Sequence, residues 1–216
     1  LERFLKLEGP DLEVGLEQFT DMLWIGNMIH QIVERASRPM ITEPSALSEF
    51  EARITKAAWA ELKAHDPPIP ETLQSILHDS LVLRLRPLIE FVQSGEVKRI
   101  IGVEKHLPEE RSNAPLRSKC DWIIENSQGQ RVLIDLKSGS AQTHKALESS
   151  EASGQDLQRA AYLMADPGAQ EAAMFYLGGG SEAYVAIDRS GDQIAWAQEA
   201  LRRAKQHIET GAFPMV

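Results

Sequence analysis

The sequence feature that most constrains the fold is the stretch from 119 to 137, in which two short apolar runs flank a turn. The runs are KCDWIIEN and RVLIDLK, and the SQGQ segment between them contains the glycine that a tight hairpin needs. This pattern predicts two antiparallel strands. Asp121, Asp135 and Lys137 lie inside these runs or at their ends, where an unpaired charge is costly. The pattern therefore predicts a hairpin whose charged residues need either an oppositely charged partner or a functional role.

The hairpin lies within a longer succession of predicted helices and strands. Helices are predicted over 14–36, 45–64, 71–93, 155–165 and 192–211, and strands over 97–107, 119–126, 131–137, 171–177 and 182–188. Pro44 suits the first turn of the second helix, and Pro87 is expected to kink or split the third. This order predicts an α/β fold in one domain over residues 1–216: a mixed central sheet flanked by helices, with about 40–95 as an accessory helical segment. The small polar residues of 138–154 predict a mobile loop.

Composition excludes several classes of protein. The chain has 216 residues, and its single cysteine, Cys120, cannot form a disulfide framework or a cysteine-based metal cluster. Because no apolar run approaches ~20 residues, no membrane span is expected, and cytoplasmic localisation is the expectation. The chain begins at Leu1, so we expect a piece of a longer protein. The net charge of −9 disfavours a protein that binds nucleic acid unaided.

The charged residues of the hairpin predict a metal site. Asp135 and Lys137 are two apart and share one face of a strand, and the hairpin can bring Asp121 beside Asp135. Two neighbouring carboxylates repel unless a cation lies between them, and Mg²⁺ or Mn²⁺ meets that need. Lys137 could then orient or deprotonate a water, or stabilise charge on a phosphate. The alternative is a partly exposed salt bridge at a sheet edge.

Four short motifs resemble the PD-(D/E)XK nucleases, and in particular their RecB-like branch. CDWII, a turn and LIDLKSG resemble the nuclease core, in which an acid on one strand precedes (D/E)-x-K on the next. GNMIH, residues 26–30, resembles the G-x-x-x-H motif of the first helix, and QRAAY, residues 158–162, resembles the Q-x-x-x-Y motif. The motifs follow the family order and cover about residues 20–214, and ETGAFP resembles the close of such domains. The resemblance implies a restriction-endonuclease-like fold.

The resemblance also implies roles for individual residues. His30, Asp121, Asp135 and the backbone carbonyl of Leu136 would hold the divalent metal. Asp121, Asp135, Lys137, Gln158 and Tyr162 would form the catalytic set, with Gln158 and Tyr162 lining the site, touching the DNA backbone or fixing Lys137. Each role has a simpler alternative: His30 as an ordinary core or surface histidine, and Tyr162 as a core residue with its hydroxyl at the rim. Glu104 on the first strand is expected to be a solvated edge residue, with a place near the metal as the alternative.

The implied function is metal-dependent hydrolysis of DNA, of an exonuclease kind, in end processing, recombination or repair. DNA would be the substrate, and a helicase domain or subunit would be the partner that supplies it. Two departures from the family pattern occur: Ser118 stands where relatives often have glycine, and the four cysteines of an iron–sulfur cluster are absent. A non-catalytic module of the same fold is the alternative. A glycosidase that uses Asp121 and Asp135 as paired acids is a weaker alternative, because it gives Lys137 and His30 no role.

Overall fold

The computed structural model describes residues 22–107, 118–140, 149, 157–178 and 183–210. Its helices are α1 (Met22–Ser37), α2 (Phe50–Ala64), α3 (Glu71–Gln93), α4 (Gln158–Ala165) and α5 (Gln193–Thr210). Its strands are β1 (Val97–Leu107), β2 (Ser118–Asn126), β3 (Arg131–Lys137), β4 (Glu171–Tyr176) and β5 (Tyr184–Asp188). Two short 3₁₀ helices, Arg38–Ile41 and Pro44–Glu49, connect α1 to α2.

The five strands form one mixed sheet whose spatial order follows the chain, β1-β2-β3-β4-β5. The pairs β1/β2, β2/β3 and β4/β5 are antiparallel, and β3/β4 is parallel. The parallel pair requires a crossover connection, and α4 lies within it. In the β2–β3 turn, Gly129 adopts a φ of 78°, which glycine accepts without strain. The predicted α/β class with a mixed central sheet is therefore confirmed.

Helices cover both faces of the sheet. One face packs against α1, α2 and α3 through a large apolar core that includes Trp122, Ile134 and Leu136. The other face packs against α4 and α5 through a smaller core that includes Ile123 and Leu133. Because successive side chains of a strand point to opposite faces, the apolar runs of β2 and β3 serve both cores. The central strands are therefore covered on both sides, and their ends are where polar groups can gather.

Two expectations about the helices are corrected. The helix predicted from 45 begins as a 3₁₀ segment, and regular α-helix starts only at Phe50, whose side chain is buried in the core. Of the two outcomes expected at Pro87, a kink or a split, the split does not occur, since α3 runs unbroken from Glu71 to Gln93. Proline deprives the carbonyl four residues earlier of its partner. That carbonyl belongs to Leu83, whose residue is 72% exposed, so water can take the place of the missing donor.

Candidate active site

Three potential metal ligands from three different elements meet at one end of the sheet. His30 of α1 places its Nδ1 3.6 Å from Oε1 of Glu104 on β1 and 3.6 Å from Oδ1 of Asp121 on β2. One ligand atom from each residue lies within 4.8 Å of the others. All three residues are partly buried. This spacing allows one cation to contact an imidazole and two carboxylates at once.

Asp121 is positioned by the end of a strand ladder. The β2–β3 ladder has Trp122 opposite Ile134 as its last pair. One residue further on, Oδ2 of Asp121 accepts a hydrogen bond of 2.8 Å from the backbone N–H of Leu136. The Asp121 side chain thus bonds the β3 backbone just beyond the last pair of the ladder. The other carboxylate oxygen of Asp121, Oδ1, faces His30.

Glu104 reaches the cluster through an unusual backbone conformation. Its φ is 53°, in the left-handed region, which a residue with a side chain adopts at a cost of order 1 kcal/mol. The β1–β2 register is irregular just before it, between Ile100 and Gly102. The Glu104 side chain is only 13% exposed, so Glu104 is not the solvated edge residue that the sequence favoured. The sequence signal for Glu104 was an acidic residue within a largely apolar strand. The local backbone irregularity that directs its side chain toward His30 cannot be predicted from the spacing of residues in the sequence.

A second group of polar side chains lies beside the cluster and centres on Asp135. Lys137 Nζ lies 2.6 Å from Oδ2 of Asp135 and donates a 2.9 Å hydrogen bond to Oε1 of Gln158. Gln158 Nε2 donates to Oδ1 of Asp135 and, at 2.9 Å, to the hydroxyl of Tyr162. That hydroxyl is also 2.9 Å from Oδ1 of Asp135. Helix α4 therefore fixes the Asp135–Lys137 pair from the face of the sheet opposite α1.

The structure thus brings the sequence-predicted residues together in two adjoining sets. His30 and Asp121 belong to the cluster of potential ligands, which Glu104 joins. The network beside this cluster consists of Asp135, Lys137, Gln158 and Tyr162. The backbone N–H of Leu136 donates a hydrogen bond to Asp121. The ligand role of Asp135 and of the Leu136 carbonyl stays a prediction.

The electrostatics of the site favour a cation. Burial, the charge of Asp135 and, to a smaller extent, that of Glu104 raise the pKa of Asp121 to about 6, although His30 and the Leu136 N–H act in the opposite direction. Oδ2 of Asp135 is buried, and its partner is the Lys137 ammonium, 2.6 Å away in an ion pair. A buried carboxylate in such surroundings is stabilised when a positive ion is added. Two carboxylates and an imidazole, with a third carboxylate beside them, therefore fit a divalent ion such as Mg²⁺ or Mn²⁺.

Cys120 does not take part in this chemistry. It is fully buried, and its thiol contacts the carbonyl oxygens of Trp122 and Ile134. Burial raises the pKa of this thiol, so the nucleophilic thiolate is disfavoured at neutral pH. Because the sequence contains no second cysteine, it cannot supply the four thiolates of an iron–sulfur cluster.

The fold and the position of the site define the class of the protein. A mixed five-stranded sheet covered by helices on both faces, with acids and a lysine at the ends of its central strands, is restriction-endonuclease-like α/β architecture. A family profile described as the PD-(D/E)XK nuclease superfamily matches residues 1–216, and the chain belongs to that superfamily. No curated protein matches the chain in sequence. Among the described residues, no helix is long and apolar enough to cross a bilayer.

Gly26, one helical turn before His30, lies where α1 passes close to the end of β3. A Cβ added at Gly26 would lie 3.3 Å from Oγ of Ser138, the residue after β3. Alanine gains up to ~1 kcal/mol of helix propensity, which offsets this tight contact, whereas valine adds bulk against Ser138. We expect Gly26→Val to displace His30 and to weaken Mn²⁺ binding about tenfold. Calorimetric titration measures this affinity.

The neighbouring exposed residue offers a matched control for this substitution. Asn27→Val places the same β-branched side chain one position further along α1, on its exposed side. It should leave Mn²⁺ affinity unchanged. Equal affinities for Gly26→Val and Asn27→Val would show that the approach of α1 to Ser138 does not set the position of His30.

Proposed function

We propose that the protein is a Mg²⁺- or Mn²⁺-dependent deoxyribonuclease of the RecB-like branch of its superfamily. Membership of the superfamily indicates nuclease chemistry. The observation that carries the proposal is the convergence of His30, Glu104 and Asp121 beside the Asp135–Lys137 pair. Phosphodiester hydrolysis needs an activated water, a cation near the reacting oxygens and stabilisation of developing charge. The residues of this site match those needs.

The metal would be held by His30, Glu104 and Asp121, together with Asp135 and the Leu136 carbonyl. When bound, it supplies Lewis-acid polarisation of a phosphoryl oxygen and a lowered pKa of its water. Hard oxygen ligands suit Mg²⁺, and the imidazole nitrogen suits Mn²⁺ at least as well. Glu104 is added to the set that the motifs imply because its carboxylate lies 3.6 Å from His30 and is largely buried.

Lys137 is the residue proposed to act on the reacting groups. Its ammonium has one partner in Asp135 and another in Gln158, and its side chain is 37% exposed. It can therefore donate to a water or a phosphate oxygen without leaving its position. Gln158 and Tyr162 are positioning residues in this scheme, because both hold Asp135 and Gln158 also holds Lys137.

The charge of the chain bears on how DNA reaches the site. At a net charge of −9, phosphate binding by the isolated chain should be weak and strongly dependent on salt. We propose that DNA is delivered by a partner, such as a helicase domain or subunit, in the processing of DNA ends, recombination or repair. An exonuclease mode and a cytoplasmic location belong to the same proposal.

The test combines cleavage with metal binding. Linear DNA should be degraded in Mn²⁺ or Mg²⁺, and EDTA should abolish degradation. Mn²⁺ at 100 times its dissociation constant should add about 2.7 kcal/mol to the free energy of unfolding. This corresponds to a rise of about 6–10 °C in melting temperature for a chain of this size. Metal binding without cleavage of any DNA form would overturn the nuclease assignment in favour of a non-catalytic module.

A further inference from the structure

Lys119 is an exposed lysine held by the same carboxylate that faces His30. Its ammonium forms an ion pair with Oε2 of Glu104, while Oε1 of Glu104 lies 3.6 Å from His30 Nδ1. The Lys119 side chain is 53% exposed, and Asp121 and Glu34 lie close enough to attract it. A lysine ammonium in an ion pair with a carboxylate is charged at neutral pH. An exposed cation therefore lies beside the acidic cluster.

The backbone of Lys119 is fixed although its side chain is exposed. The Lys119 carbonyl oxygen lies 2.9 Å from the hydroxyl of Tyr162, which is also 2.9 Å from Asp135. Lys119 therefore has a defined place beside the Asp135–Lys137 pair. Its long side chain leaves the ammonium free to exchange one anionic partner for another.

The charge on the cluster decides which anion Lys119 prefers. Without metal, the carboxylates of Glu104 and Asp121 carry two negative charges, and Lys119 offsets one of them. A divalent ion among His30, Glu104 and Asp121 would neutralise both carboxylates, and it would repel the ammonium. With the metal bound, the electrostatic attraction between Lys119 and Glu104 is lost. Lys119 then lies, without this ion pair, where a phosphate has to approach.

We propose that Lys119 is a phosphate-binding residue that Glu104 holds while no divalent ion is bound and that metal binding releases to the DNA. The proposal rests on the proposed function, since it assigns the substrate contact of the same site. Its consequence is coupling: metal and DNA each strengthen the binding of the other, and removing Lys119 removes part of that coupling.

The test measures DNA affinity in a protein that does not cut. In a Lys137→Met background, binding of a short fluorescent DNA duplex is followed over a range of salt concentrations, with Mn²⁺ and with EDTA. Adding Lys119→Met should weaken binding about tenfold in Mn²⁺ and leave it unchanged in EDTA. The slope of log affinity against log salt should fall by about 0.9 in Mn²⁺ only. Lys119→Arg should restore most of the affinity.

A second readout needs no DNA. Because Lys119→Met removes a cation that competes for Glu104, it should tighten Mn²⁺ binding about two- to fivefold in calorimetry. Lys98→Met is the matched control: Lys98 is a 59% exposed lysine on β1 that pairs with Glu125 instead of the cluster. It should change Mn²⁺ affinity little, and any effect on DNA affinity should be the same with and without metal.

The outcomes separate this proposal from the proposed function. An equal loss of DNA affinity in Mn²⁺ and in EDTA, or no loss in either, overturns the release of Lys119 and leaves the nuclease assignment standing. Failure of the protein with Lys119 intact to bind Mn²⁺ overturns both. Circular dichroism melting checks that Lys119→Met folds, which the exposure of its side chain favours.

Discussion

Replacing Lys137 with alanine is expected to lower the rate of DNA cleavage about 10³-fold while Mn²⁺ affinity changes by less than about threefold. Removing a positioned donor or proton-transfer group typically costs a factor of about 10²–10⁴ in rate. Lys137 contacts Asp135 and Gln158, and it does not belong to the cluster of His30, Glu104 and Asp121. The measurement pairs single-turnover cleavage of linear DNA with calorimetric Mn²⁺ titration.

Two further variants make the Lys137 result specific. Asp135→Ala should lose cleavage to a similar extent and should also weaken Mn²⁺ binding, because Asp135 is both the partner of Lys137 and a predicted ligand. Lys98→Ala, which removes an exposed lysine from the same sheet, should cleave at nearly the wild-type rate. Cleavage retained by both Asp135→Ala and Lys137→Ala would remove the proposed catalytic assignment.

Replacing Asp121 with asparagine is expected to stabilise the metal-free protein at neutral pH and to abolish both its stabilisation by Mn²⁺ and its cleavage of DNA. The pKa of Asp121 is raised to about 6, first by burial and then by the charge of Asp135. An aspartate in an unfolded chain titrates near ~3.9. A raised pKa in the folded state means that the ionised carboxylate disfavours folding.

The dependence on pH has a definite sign. For wild type in EDTA, this contribution lowers the free energy of unfolding as pH rises from about 4 to about 6, and it is constant above that range. Asparagine carries no charge, and its oxygen can still accept the Leu136 N–H. The variant should therefore exceed wild type by about 1–3 kcal/mol at pH 7.5 and by almost nothing below pH 4.

Urea unfolding across this pH range provides the measurement. Asp66→Asn, which removes an exposed carboxylate, is the control and should follow wild type at every pH. In Mn²⁺ that saturates wild type the order should reverse, with wild type gaining stability and Asp121→Asn gaining none. If Asp121→Asn is no more stable than wild type in EDTA, Asp121 is not held in an unfavourable charged state, and the case for a cation there weakens.

Much of the fold could be predicted because the relevant patterns are local. The limits predicted for β1 and β3 agree with the observed strands, since alternation of apolar residues and the glycine turn act over a few residues. The two-residue repeat of a strand also places Asp135 and Lys137 on one face, where their charged groups are 2.6 Å apart. The split expected as one outcome at Pro87 does not occur, because Leu83 is exposed to water, and that exposure depends on packing.

The site was less predictable where it depends on contacts between distant parts of the chain. Glu104 was undervalued because its approach to His30 depends on the left-handed backbone at Glu104 and on the irregular register of β1 against β2. Lys119 lies two residues before Asp121 on the same strand, but this spacing does not show which carboxylate it pairs with. Its pairing with Glu104 across two strands gives it a specific place.

The sequence by itself determined the types of element, the hairpin, and the sharing of one strand face by Asp135 and Lys137, because the backbone period fixes those relations over a few residues. Only the tertiary structure decided that His30, Glu104 and Asp121 face one point and that α4 fixes Asp135 from the other side. Those distances depend on strand register and on how closely α1 and α4 pack against the sheet, which the whole core sets together.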